Sequence, residues 1–128
     1  MIKRTNLLQL RPQIPTILNE QEISPAERFQ NLTLRPILKL QNELLVEIFK
    51  QYIKKRKGVF HQLSPVKREE YIQNSLRQDL KFKNLLLGTI IGHFTLEEWI
   101  TFQKQEKELI RRMTSLLIQR LQSQIAIF

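Results

Sequence analysis

Two histidines are the first groups in this chain to weigh for chemistry, because a neutral imidazole can hold a metal ion or move a proton near neutral pH. Neither His61 nor His93 has a His, Asp or Glu four residues away on the same helical face, and the step from His93 to Glu97 crosses a helix cap. Zinc or a similar ion needs three or four converging ligands, so no metal site is expected. The chain has no Cys, which excludes disulfides and thiolate ligands. Its three glycines, Gly58, Gly88 and Gly92, have neither the dinucleotide-binding nor the P-loop spacing, and no cofactor is expected. No Ser-His-Asp, Cys-His or paired-carboxylate arrangement can be assembled.

One carboxylate is a weak catalytic candidate. At 100° per residue, Glu106 projects into an apolar arc of Trp99, Phe102, Ile110, Met113 and Leu117. Burial there would raise its pKa and suit it to general acid or base work. Pairing with Lys83 or Lys107, or escape to a solvated rim, is the simpler outcome. Asp79, with Lys83, lies beside Ile72 and Leu76 on the central predicted helix. Trp99, Phe102 and Phe94 have the spacing of core aromatics rather than of a base-stacking platform.

The basic residues carry the clearest signal. Lys50, Lys54, Lys55, Arg56 and Lys57 put five positive charges into eight residues with no acid among them, and Lys3, Arg4 and Arg11 add three in the N-terminal arm. These two segments hold +8 of the formal +9, leaving the rest of the chain nearly balanced. Cations in a last helical turn complement the macrodipole, but one or two suffice for that. Five point to a polyanion: an acidic protein, or nucleic acid in the form of RNA or a ribonucleoprotein. A helix-turn-helix over 76–102 is disfavoured, because its recognition helix would begin Thr95-Leu96-Glu97-Glu98 and present two carboxylates to phosphate.

The elements that position these residues are helical. Leu (21) and Ile (15) outnumber Val (3), and Gly and Pro are scarce, a balance that favours helices over strands. Ser24-Pro25-Ala26-Glu27 opens a short helix at 25–32. Thr33 offers a cap for a helix at 34–57, where Lys39, Glu43, Glu47, Lys50, Lys54 and Lys57 share one 80° arc opposite a wide apolar one. Ser64-Pro65 starts a helix running to about residue 87, before Gly88. Thr95 and Glu98 form a capping box, with Phe94 and Trp99 placed for a hydrophobic staple, and open a helix at 96–122. The predicted fold is therefore all-α: a bundle domain over 24–124 with three long antiparallel helices and one short one. An irregular arm at 1–23 precedes it, and an apolar tail, Ile125 to Phe128, follows it.

With 128 residues and 41% apolar composition, the chain is sized for one domain with its own core. The stretch after Lys3 and Arg4 is too short for a secretory segment, and nothing approaches a membrane span. The cytoplasm is the expected compartment.

The segment from Glu27-Arg28-Phe29-Gln30-Asn31-Leu32-Thr33-Leu34 through Leu44, together with Leu121-Gln122-Ser123-Gln124-Ile125, resembles a group of short bacterial helical proteins of unknown function, some labelled glyoxalase. The resemblance covers about residues 25–125, leaves the arm outside, and implies no catalytic residues. Glyoxalase I enzymes themselves are built from βαβββ units with a metal held by His and Glu on strands, and this chain has neither pattern. The sequence thus points to a non-enzymatic binding module or complex subunit that uses residues 50–57 and the arm. The alternative is a structural subunit or homo-oligomer that docks through apolar surface such as the tail. A small enzyme using Glu106 comes third.

Overall fold

A computed structural model describes residues 2–14 and 23–128. Among the described residues there are six α-helices and no strand: α1 (Pro25–Phe29), α2 (Arg35–Lys55), α3 (Pro65–Gln78), α4 (Leu80–Ile91), α5 (Leu96–Lys104) and α6 (Glu106–Gln122). The all-α class holds, but three long helices and a short one do not describe it. Two predicted helices break in the middle, and the predicted gap at Thr33 closes.

That gap closes through a wider turn. Gln30–Leu34 is π-helical, with the Arg35 amide donating to the Gln30 carbonyl, so α1 runs into α2 without a cap. In a regular helix the ring of Pro36 would strike the carbonyl of Leu32. One extra residue in the preceding turn relieves that clash, as π-bulges do. Thr33 is therefore buried within a helical run rather than capping one, and its hydroxyl is free to bond elsewhere.

The helix predicted at 65–87 breaks at Asp79 (φ −91°, ψ 95°) and then continues past Gly88 to Ile91. Asp is a poor interior residue because its carboxylate competes for backbone amides. Here Oδ1 accepts from the Phe82 amide at 3.1 Å and caps α4. The helix predicted at 96–122 breaks at Gln105 (φ −139°, ψ 39°), whose carbonyl accepts the first bond of α6 from Leu109. Lys104 closes α5, while Glu106 and Glu108 open α6, each sign matched to the dipole end it faces.

α6 packs on α3 and α4, and α2 packs on α4. Phe49 lies at the centre of one end of the core and is fully buried, with Phe60 at 5.7 Å, Phe82 at 6.1 Å and Phe128 at 4.7 Å between ring centroids. The tail is thus not free: Ile125–Ile127 forms a 3₁₀ turn, and Ile125 and Phe128 pack against the core. In the arm, Arg4–Leu10 is a 3₁₀ run rather than irregular chain. The rest of the predicted arm at residues 1 and 15–22 lies outside the described residues. At the other end, Phe94 meets Phe29 and Phe102, and Trp99 stacks on Phe102 while staying 40% exposed.

Because one carboxylate ends α3, starts α4 and ties both to α2, Asp79→Ala should lower Tm by about 5 °C. Asp79→Asn keeps the cap and should lose less. Thermal unfolding followed by circular dichroism checks both, and an unchanged Tm for the alanine variant would place the origin of the break elsewhere.

Candidate functional site

The basic end of α2 divides by helix face into two clefts. Lys50 and Lys54, four residues apart, share one face of α2, and Lys57 follows just beyond the helix end. They line an open cleft of about 410 Å³ with Ile53, Gly58, His61 and Phe128. Lys54 and Lys57 are exposed, as is Lys55 on the neighbouring face, and none of the three makes an ion pair among the described residues. Lys50 reaches Glu47 at 3.5 Å, both side chains well exposed, a contact of little strength in water. The last turn ends in two left-handed residues, Lys57 (φ 57°) and Gly58 (φ 71°). Glycine takes that conformation readily, whereas a lysine there is uncommon.

Arg56 faces the other way. Its guanidinium lies 3.5 Å from the centre of the Tyr52 ring, donates to the Tyr52 carbonyl at 3.2 Å and pairs with Asp79 Oδ2 at 2.9 Å. The Tyr52 hydroxyl donates to the same oxygen at 3.0 Å. These groups border a cleft of about 710 Å³ with Tyr71, Ser75 and Lys81. The Phe82 amide, partly opposed by burial and aided by Tyr52 and Arg56, holds the Asp79 carboxyl below its usual pKa. Burial pushes Tyr52 and Tyr71 up, so both phenols stay protonated. The Tyr71 hydroxyl is buried with no hydrogen-bond partner among the described residues.

The arm's arginines are elsewhere. Arg4 donates to the carbonyls of Gly92 and Phe94, both at 2.8 Å. Arg11 forms a fork on Glu98, 2.7 Å to each carboxylate oxygen, and donates to the His93 carbonyl at 2.7 Å. Glu98 closes the predicted capping box with Thr95 and also accepts from Thr33 at 3.1 Å. Thr33 precedes α2, so this knot sits at the opposite end of that helix from Lys54, about 30 Å along its axis. Arg4 and Arg11 dock the arm and do not join the lysines. Lys3 is exposed and unpaired among the described residues.

Burial alone would raise the pKa of Glu98, but hydrogen bonds from Arg11, the Thr95 amide and Thr33 hold it below its ordinary value. His93 is lowered by burial and by the charges of Arg11 and Arg4, which favours its neutral imidazole.

Glu106 does not project into an apolar arc. The break at Gln105 resets the helical phase and leaves it exposed in the first turn of α6, unpaired with Lys83 or Lys107. Among the described residues, no group of three or more His, Cys, Asp or Glu could hold a metal ion, and no helix is long and apolar enough to cross a membrane. Sequence reading missed the part played by His61 and Phe128 in the lysine cleft, and the Tyr52–Arg56–Asp79 cluster. The i, i+4 spacing of Tyr52 and Arg56 was the available signal for the cluster. No protein-family model, curated protein or solved structure matches the chain.

A carboxylate whose folded pKa is lowered contributes stability above its unfolded pKa, and that contribution is lost as pH falls through the folded value. Acid should therefore cost the protein stability at pH values below the ordinary Glu value of 4.5. Melting curves of wild type and Glu98→Gln should differ at neutral pH and converge in acid. A constant gap across that range would remove Glu98 from the acid response.

Proposed function

We propose that the protein is a non-enzymatic binding module that meets an acidic partner, with RNA phosphate the first to test, through the basic end of α2. One observation carries the reading. Lys54, Lys55 and Lys57 stand exposed on the last turn and its exit without an acid to neutralise them among the described residues, while Arg56 already caps that turn through the Tyr52 carbonyl. The helix end therefore has more positive charge than its own carbonyls call for. Lys57, held at φ 57° beside a glycine, keeps its charge at a position where glycine would cost less. The arm supports the bundle, and Lys3 is its one guanidinium- or ammonium-bearing residue without an internal partner among the described residues.

A second reading, a subunit that docks through apolar surface, rests on α5. Leu96, Trp99 and Ile100 share one face of it at 66%, 40% and 55% exposure. The C-terminal tail, packed on its own core, does not supply that surface.

Lys54→Gln/Lys55→Gln/Lys57→Gln should flatten the dependence of log affinity on log salt for single-stranded RNA by about 2, at about 0.7 per phosphate contact. Arg4→Gln should leave the slope unchanged. Equal RNA binding by the triple variant and wild type would overturn the reading. For the alternative, Leu96→Ser/Ile100→Ser should lower the mass in solution measured by light scattering, and an unchanged monomer counts against it.

A further inference from the structure

A second basic cleft, built from helices far apart in sequence, lies where α3, α4 and α6 meet. Arg77 from the end of α3, Lys83 from the start of α4, and Lys107 and Arg111 from α6 line about 490 Å³ together with Thr114 and Ser115. We propose that this cleft binds a compact multivalent phosphate anion, one carrying two or more phosphoryl groups.

The break at Asp79 makes the cleft. On an unbroken helix, residues six apart stand about 120° away from each other, so Arg77 and Lys83 could not flank one opening. With the turn at Asp79, both border it. On α6, Lys107, Arg111 and Ser115 recur every four residues and form the facing wall.

The wall chemistry is that of a donor-rich anion site. Arg77, Lys83 and Lys107 make no ion pair among the described residues, although Lys83 is half-buried. A partly desolvated ammonium without a counter-ion is costly unless an anion completes it. Of the nearby acids, Glu106 is exposed and does not line the cleft, and Glu108 and Asp79 are already engaged. Glu108 is held below its usual pKa by hydrogen bonds from Arg111 and Arg112, with Arg111 Nη2 at 2.6 Å. Asp79 turns both oxygens away, to Phe82, Tyr52 and Arg56. Thr114 donates its proton to the Ile110 carbonyl, and the Ser115 hydroxyl has no protein partner among the described residues. Four cations against one shared carboxylate leave a surplus of about three charges. That surplus suits a polyvalent phosphate and exceeds what one carboxylate ligand would neutralise. The Arg77 guanidinium, not engaged by an acid among the described residues, adds the planar, two-point recognition that phosphoryl oxygens accept.

Calorimetric titration of the full chain with inorganic tripolyphosphate at low salt tests the site. Saturable one-to-one binding is expected, at least about tenfold weaker for orthophosphate and at least about tenfold weaker for Lys83→Gln/Lys107→Gln. The Lys54→Gln/Lys55→Gln/Lys57→Gln variant should bind tripolyphosphate as wild type does, whatever its behaviour toward RNA. Circular dichroism confirms that each variant is folded. Absence of saturable binding, full binding by the Lys83/Lys107 variant, or loss only in the variant of the α2 lysines would overturn the proposal. Equal affinity for orthophosphate would overturn the multivalent class.

Discussion

Asp79 sits where the end of α2, the end of α3 and the start of α4 converge, and its carboxylate is the acceptor that all three share. One oxygen takes the Phe82 amide; the other takes the Tyr52 hydroxyl and the Arg56 guanidinium. A helix bends sharply where something other than its own carbonyls satisfies its amides, and this group supplies that satisfaction from a single position. With the bend fixed, Phe82 stacks on Tyr52 at 3.8 Å, Arg56 is drawn away from the lysine cleft, and α4 turns to meet α6. The shapes of the clefts on both sides of the bend follow from this one set of bonds.

The same logic sorts the charge. A formal surplus of +9 reads as a uniformly basic molecule, but guanidinium and ammonium groups are used differently. The arginines at positions 4, 11 and 56 make several directed bonds each to carbonyls and carboxylates, as a rigid planar donor fork can. The lysines of α2 make almost none and remain as hydrated point charges. Internal structure therefore takes up the charge of these three arginines and leaves, at the end of α2, a field made by lysine, which acts at a distance and is screened by salt.

Much of the helical grammar was legible from residue types. Ser24, Ser64 and the Thr95–Glu98 box cap helices where their patterns place them, because those bonds are local. The breaks were harder. Asp79 lies mid-helix in an unbroken apolar period, and what stabilises the bend is a pair of donors more than twenty residues upstream, which no local pattern reveals. At Gln105 the charge reversal from Lys104 to Glu106 and Glu108 was visible, yet it also fits an unbroken helix. Missing that break put Glu106 on the wrong face. The π turn before Pro36 hid for the opposite reason: Thr33 is a good cap by type, yet Phe29, Thr33 and Leu34 are all buried and the chain stays helical through them. Of the candidate site, the lysine cluster was legible as composition. Its division into two faces, and the removal of Arg4 and Arg11 to the far end, depended on long-range contacts.

The docked arm has a further consequence for how the molecule opens. None of the residues of its 3₁₀ run is buried, and Ile2, Leu8 and Leu10 keep most or about half of their surface in water. Among the described residues, directed bonds from Arg4 and Arg11 supply much of its attachment to the bundle. With no buried residue in Arg4–Leu10, the amides of that run are expected to exchange with solvent before those of α2 or α6. Release of the arm would bare the carbonyls of Gly92, His93 and Phe94 and leave Glu98 with only Thr33 and Thr95, while the core around Phe49 stays closed.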